Sequence, residues 1–178
     1  MQAKEIQPDH QNSYYNLALI KKEQGLSEEA IELLLQLLKM NPEHNEAKLL
    51  YSIMSLQLGY FRQGWGYYEY RWKVSPGDKV IWPFQDKPVW KEEREKHVVL
   101  WKEQGIGDQV IFLSSMSEGR DMCASLSVYV DPRLASLCRR AMPEIDFVKD
   151  VEALQKIECH YHLPLGSVPG LIRNDISD

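Results

Sequence analysis

Cysteine is scarce in this chain and poorly placed for cross-linking. Cys123, Cys138 and Cys159 are the three in 178 residues, an odd number with no CxxC pair. Such spacing suggests neither a disulfide framework nor a cysteine-based zinc site, and the expected setting is a reduced, cytoplasmic one. Long apolar runs are missing too: none approaches the roughly 20 residues that a membrane-spanning helix needs. The opening MQAKEIQPDH has no apolar core and does not read as a signal peptide. Basic charge is in deficit, with 21 Lys and Arg against 26 Asp and Glu and a formal net charge of −5. That balance gives no general attraction to nucleic acid or to an anionic membrane. The phosphate-loop signature Gly-Lys-Ser/Thr is absent. What remains, 44% hydrophobic and 26% charged, is ordinary for one globular domain or two small ones.

Against these absences stands a period. Pro8, Pro42 and Pro76 are each 34 residues apart, and Gly25 and Gly59 keep the same step. Tyr14, Leu17, Ala18 and Lys21 fall on one helical face that ends at Gly25. Ser27-Glu28-Glu29 reads as the next helix start, with Ser27 as its cap. The stripe Ala30, Leu33, Leu34, Leu37 and Leu38 follows at helical spacing. Small residues (Ala18, Ala30, Ser52, Gly64) stand where paired helices must approach closely, and Pro42 and Pro76 end the second helix of each pair.

A 34-residue helix-pair period with these positions resembles the tetratricopeptide repeat family. The resemblance covers residues 1–78: repeats at 11–44 and 45–78, with a stub at 1–10, and an array domain of 1–75. Such an array implies a protein or glycan partner. The second repeat runs into GWGYYEYRWKV, residues 64–74, where Trp65, Tyr68 and Trp72 share a face. Aromatics at this spacing are expected to pack against the next domain; a stacking platform for carbohydrate or peptide is the other reading.

Residues 76–96 carry Pro76, Gly77, Pro83 and Pro88 and lose the helical period. They are expected to form a connector pinned by Trp82 and Trp90. From residue 97 to 178 the pattern alternates. HVVLW (97–101), SLSVYV (125–130), IDFV (145–148) and ECHYHLPL (158–165) read as strands. Between them lie a helix over 107–119, a helix over 132–141 opened by Asp131-Pro132, and a short helix or turn at 151–156. Strands alternating with helices predict a parallel sheet. The fold class is therefore α + α/β: helical hairpins followed by a half-Rossmann domain.

The first strand leads into Glu103-Gln104-Gly105-Ile106-Gly107-Asp108. In parallel α/β sheets ligands bind beyond the carboxyl ends of the strands. Gly105 and Gly107 can take positive φ or admit a close backbone approach, and a helix starting near Gly107 favours negative charge in its first turn, at Asp108. The dinucleotide fingerprint would need a third glycine where Val110 stands. A plain strand-to-helix turn with Asp108 as a helix-start acid is the competing reading.

Taken in order, the repeats, YYEYRW, PVW, EQGIGDQVIF and HLPLGSVPG resemble bacterial proteins in which tetratricopeptide repeats are fused to a glycosyltransferase of the two-Rossmann (GT-B) type, related to the heptosyltransferases. The resemblance implies that Asp108 is a general base and that Glu103, Gln104, Gly105, Gly107, His162 and Ser167 bind ligand. It also implies His162 in the same crevice as Asp108; a strand-end histidine bonded to backbone is the competing reading. The resemblance also has gaps. Ser114-Ser115 stands where an Arg-Tyr pair is usual, and Lys91-Glu92 where a glycine is usual. The chain reaches Asp178 before any second Rossmann unit, so it is expected to carry the acceptor-side half and to be inactive alone. A nucleotide-sugar donor is expected only in a full-length version, with no cofactor or metal here. A non-catalytic interaction scaffold is the alternative, and a zinc site on Cys159, His160 and His162 is a third reading.

Overall fold

The computed structural model describes residues 11–74, 83–103 and 105–173. The stub at 1–10, Pro76, Gly77, Trp82 and Gln104 therefore lie outside the described residues. Two compact units, 11–74 and 83–172, are taken in turn.

The first unit is helical. Helices α1 (Gln11–Glu23) and α2 (Ser27–Met40) pack as one pair, and α3 (Asn45–Gln57) and α4 (Phe61–Tyr68) as a second. The 34-residue step is a repeat of backbone geometry. Gly25 has φ +74° and Gly59 has φ +79°. In the first turn the Gly25 N–H donates to the Lys22 carbonyl and the Leu26 N–H to the Lys21 carbonyl. In the second, the Gly59 N–H donates to Leu56 and the Tyr60 N–H to Ser55. Both are Schellman turns, whose left-handed residue glycine fills without strain. The core is Tyr14, Ala18, Ala30, Leu34, Leu37, Ala47, Leu50 and Met54, with Leu33 and Leu38 packed at its edge. A Cβ on Gly64 would lie 2.6 Å from the Leu56 side chain, which is why the smallest residue stands there.

Three details differ from expectation. Leu26, not Ser27, precedes the first residue of α2 and offers no side-chain cap. Further on, His44 caps α3, its Nδ1 accepting the Ala47 N–H at 3.3 Å. The second repeat's last helix also breaks, giving the single turn α5 (Arg71–Val74) after α4. Gly64 and Gly66 weaken the helix, and Arg71 fixes the break by donating to the Tyr68 carbonyl and to Glu69 Oε1. Its guanidinium lies 4.4 Å from the Tyr68 ring centre and 4.5 Å from that of Trp72.

The second unit is a four-stranded parallel sheet with helices. Strands β1 (His97–Trp101), β2 (Ser125–Tyr129), β3 (Asp146–Val148) and β4 (Tyr161–Pro164) lie in the order β3-β2-β1-β4. The β-branched and apolar run of β1 is buried because strands flank it on both sides. The expected helix over 107–119 is two: α6 (Ile106–Leu113) and α7 (Met116–Asp121). The break falls at Ser114-Ser115, where the Ser114 hydroxyl donates to the Ile111 carbonyl at 2.7 Å and competes with the helical ladder. Helices α8 (Pro132–Ala141) and α9 (Val151–Gln155) follow, each capped by an aspartate, Asp131 and Asp150. After β4 come a 3-10 turn (Leu165–Ser167) and α10 (Val168–Ile172).

Residues 83–90, expected as connector, belong to this core. Phe84 is 6% and Trp90 1% exposed. The His162 N–H donates to Pro88, the Trp90 N–H donates to His162, and Val89 bridges the outer edge of β4. The opposite edge, β3, is closed in another way, with Arg139 Nη2 donating to the Phe147 carbonyl at 2.6 Å.

Candidate functional site

Chain order along the sheet reverses at β1: its successor β2 lies on one side and β4 on the other. In such sheets the carboxyl ends of the strands at that reversal are where ligands bind. The turn after β1 carries the glycines, and Gly105 is the residue before α6. Its φ is −58°, so of the two possibilities for this glycine positive φ is not taken; Gly25 and Gly59 are the positive-φ glycines among the described residues. The room at these two positions is unequal. A Cβ on Gly105 would meet Asp108 Oδ2 at 3.4 Å, whereas one on Gly107 would meet nothing within 4 Å. Gly107 thus leaves open backbone at the start of the helix.

Asp108 is exposed in the first turn of α6, with its carboxylate turned back over Gly105. Its neighbours on either side are tied down. Glu103 Oε1 accepts the Gly166 N–H at 2.9 Å, joining the turn after β1 to the turn after β4. Gln109, only 2% exposed, accepts the Asp131 N–H at 2.8 Å and joins α6 to the turn after β2. Ser167 is 8% exposed beside Gly166. Asp131 also caps α8. Its carboxylate takes hydrogen bonds from the Arg133 guanidinium and N–H, with Lys102 at 3.9 Å, and these hold the carboxyl far below the usual range.

His162 stands elsewhere. It is the second residue of β4, paired with Val99, and is 1% exposed. The Trp101 indole donates to its Nδ1 at 3.0 Å, and Phe84 lies against its ring. Burial pushes the imidazole below its ordinary value, so the neutral ring is favoured, with the Lys87 carbonyl and Asp86 opposing. His162 is thus an interior residue and not one lining a crevice with Asp108. His160 Nδ1 accepts the His97 N–H at 3.3 Å, and burial raises the Cys159 thiol. Among the described residues no three His, Cys, Asp or Glu side chains gather as metal ligands.

The structure therefore brings Glu103, Gly105, Gly107, Asp108 and Ser167 to one edge of the sheet and leaves His162 out. Sequence reading missed Gln109, Asp131 and Gly166 as members of that edge. Asp131 was visible as a helix start, but nothing in the sequence announces its bond to a residue 22 positions earlier. An open cavity of about 230 Å³ lies at the end of β3, lined in part by Arg139, Phe147, Lys149, Asp150 and Ile157. It includes none of the residues above.

Comparison with known proteins gives three results. Residues 11–44 match the tetratricopeptide repeat family, which identifies the first helix pair as such a repeat and suggests a role in protein interaction. The protein FlbA of Caulobacter vibrioides is 27% identical over 154 residues, covering 79% of this chain and 25% of FlbA. This chain thus spans a quarter of the length of that curated relative. A mutant O-GlcNAc transferase from Thermobaculum terrenum is similar in structure at a TM-score of 0.39 and 17% identity, covering 84% of this chain and 36% of the transferase. At that distance nothing about activity follows. No described helix is long and apolar enough to cross a membrane.

Proposed function

We propose that this chain supplies the acceptor-side half of a tetratricopeptide-linked glycosyltransferase of the heptosyltransferase-like, two-Rossmann type, working in a bacterial cytoplasm. The observation that carries the reading is the Gly105–Asp108 turn at the carboxyl end of the central strand, with an exposed carboxylate between two anchored neighbours. Asp108 would accept the proton of an acceptor hydroxyl as that oxygen bonds to the anomeric carbon of a nucleotide sugar. The bond from that carbon to the nucleotide phosphate breaks, and the nucleotide leaves with the electron pair. A carboxylate is a weak base, so orientation of the hydroxyl would have to supply much of the rate. The open backbone at Gly107 leaves room for the acceptor. Glu103 and Ser167 complete the proposed binding edge, and the repeats would hold a protein or glycan acceptor. The nucleotide sugar itself would bind a second Rossmann unit in a longer protein.

The 178-residue chain is therefore expected to transfer no sugar when incubated with a panel of nucleotide sugars and candidate acceptors. Turnover by this chain alone would refute the division of labour proposed here. If the longer protein is equally inert with every donor, the scaffold reading takes its place.

A further inference from the structure

We infer that Glu103 and Gln109 are positioning residues that together hold the Gly105–Asp108 turn in place. The inference deepens the reading of Asp108 above and rests on it for its catalytic meaning, but the contacts stand by themselves. Glu103 lies two residues before Gly105 and Gln109 one residue after Asp108, so each end of the turn has its own tie. The ties run in opposite directions along the sheet: Glu103 to the Gly166 N–H after β4, and Gln109 to the Asp131 N–H after β2. Both acceptors are side chains and both donors are backbone groups. The position of the turn is thus set by the two neighbouring strands and not by the length of its own loop.

The surroundings of each tie support this. Gln109 is a buried polar side chain on a helix whose next two residues, Val110 and Ile111, are 54% and 66% exposed. The helix thus turns a polar group inward while apolar ones face out. That inverted pattern has a cost in apolar exposure, and the bond to Asp131 accounts for it. On the other side, a Cβ on Gly166 would lie 2.5 Å from Glu103 Oε1 and 3.0 Å from Phe112 Cε2. A side chain here would push the Glu103 carboxylate off the Gly166 N–H and press on Phe112.

The test uses the 178-residue chain labelled for NMR, with no ligand added. Glu103→Ala and Gln109→Leu each remove an acceptor, Gly166→Ala breaks the first tie from the opposite side, and Glu103→Gln keeps a neutral acceptor. Expected results are a tenfold or greater rise in amide exchange at Gly166 for Glu103→Ala and at Asp131 for Gln109→Leu. The Gly107 and Asp108 amide signals should move or broaden in both, and in Gly166→Ala, with recovery in Glu103→Gln. Should Gly107 and Asp108 keep their wild-type signals while Gly166 and Asp131 lose protection, the ties hold only the flanking turns and the inference is wrong. Because no substrate enters the measurement, a chain with no transferase lineage could still satisfy it. Failure of the catalytic reading would appear separately, as absence of transfer.

Discussion

Replacing His162 by leucine should destabilise the α/β unit, and by an amount that shrinks as the pH falls. Leucine fills a similar volume but accepts no hydrogen bond. The Trp101 indole N–H, on a residue 2% exposed, would then be buried without its partner. Orphaning a buried donor costs about 1–3 kcal/mol. The Lys87 carbonyl, on an exposed residue, can turn to water and adds little. The pH dependence follows from the direction of the shift. Burial lowers the folded-state pKa of His162 below the ordinary 6.5, so the fold binds the neutral ring. That contribution is complete above the unfolded value and is lost as the pH drops from there toward the folded value, with a slope of at most about 1.4 kcal/mol per pH unit. Urea unfolding followed at the Val99 and Leu100 amides, at pH 8 and at pH 5, measures both effects. Other carboxylates and histidines cancel in the difference between wild type and variant. A variant as stable as wild type at pH 8, or a gap that stays the same at pH 5, would refute the account of this histidine.

Leu34→Ala should lower the stability of the helical unit by about 2–5 kcal/mol, because Leu34 is fully buried between the repeats' helices; thermal unfolding measures it. Gly64→Ala should cost about 1–3 kcal/mol from overpacking against Leu56, and Leu56→Ala in the same chain should recover part of that loss. Trp90→Ala should loosen the α/β unit by about 3–5 kcal/mol, read as lost amide protection in β4, whereas a mere connector residue would leave β4 unchanged.

The repeats could be read from the sequence because their period is imposed by backbone geometry. A left-handed residue must recur at each helix end, and only glycine takes that conformation freely, so Gly25 and Gly59 mark it. The strands were readable as short apolar runs. What escaped notice depended on long-range pairing. The register that sets His162 beside Val99 joins residues 63 positions apart, and it is this register and the Trp101 indole that bury the ring. From the sequence alone, His162 read either as a strand-end ligand or as a strand-end histidine bonded to backbone. Trp90 was expected to pin its stretch and is buried, but Phe84 and the bonds to the edge of β4 escaped because a proline-containing stretch has no period. The helix break at Ser114-Ser115 escaped because the apolar spacing continues through it, and the Ser114 hydroxyl bonding back to Ile111 explains the local geometry. At the candidate site, Glu103, the glycines and Asp108 could be named from the sequence as candidates, but the bonds Glu103–Gly166 and Gln109–Asp131 could not, since each joins distant turns.

Under the proposed function, the exposed carboxylate of Asp108 would take a proton during sugar transfer. The most direct measurement is the transfer rate of the longer protein carrying Asp108→Asn, beside wild type, with product followed by the mass added to the acceptor. A fall of 100-fold or more is expected, the lower range for loss of a general base, with the amide spectrum of the fold unchanged. Transfer at the wild-type rate by Asp108→Asn would contradict it.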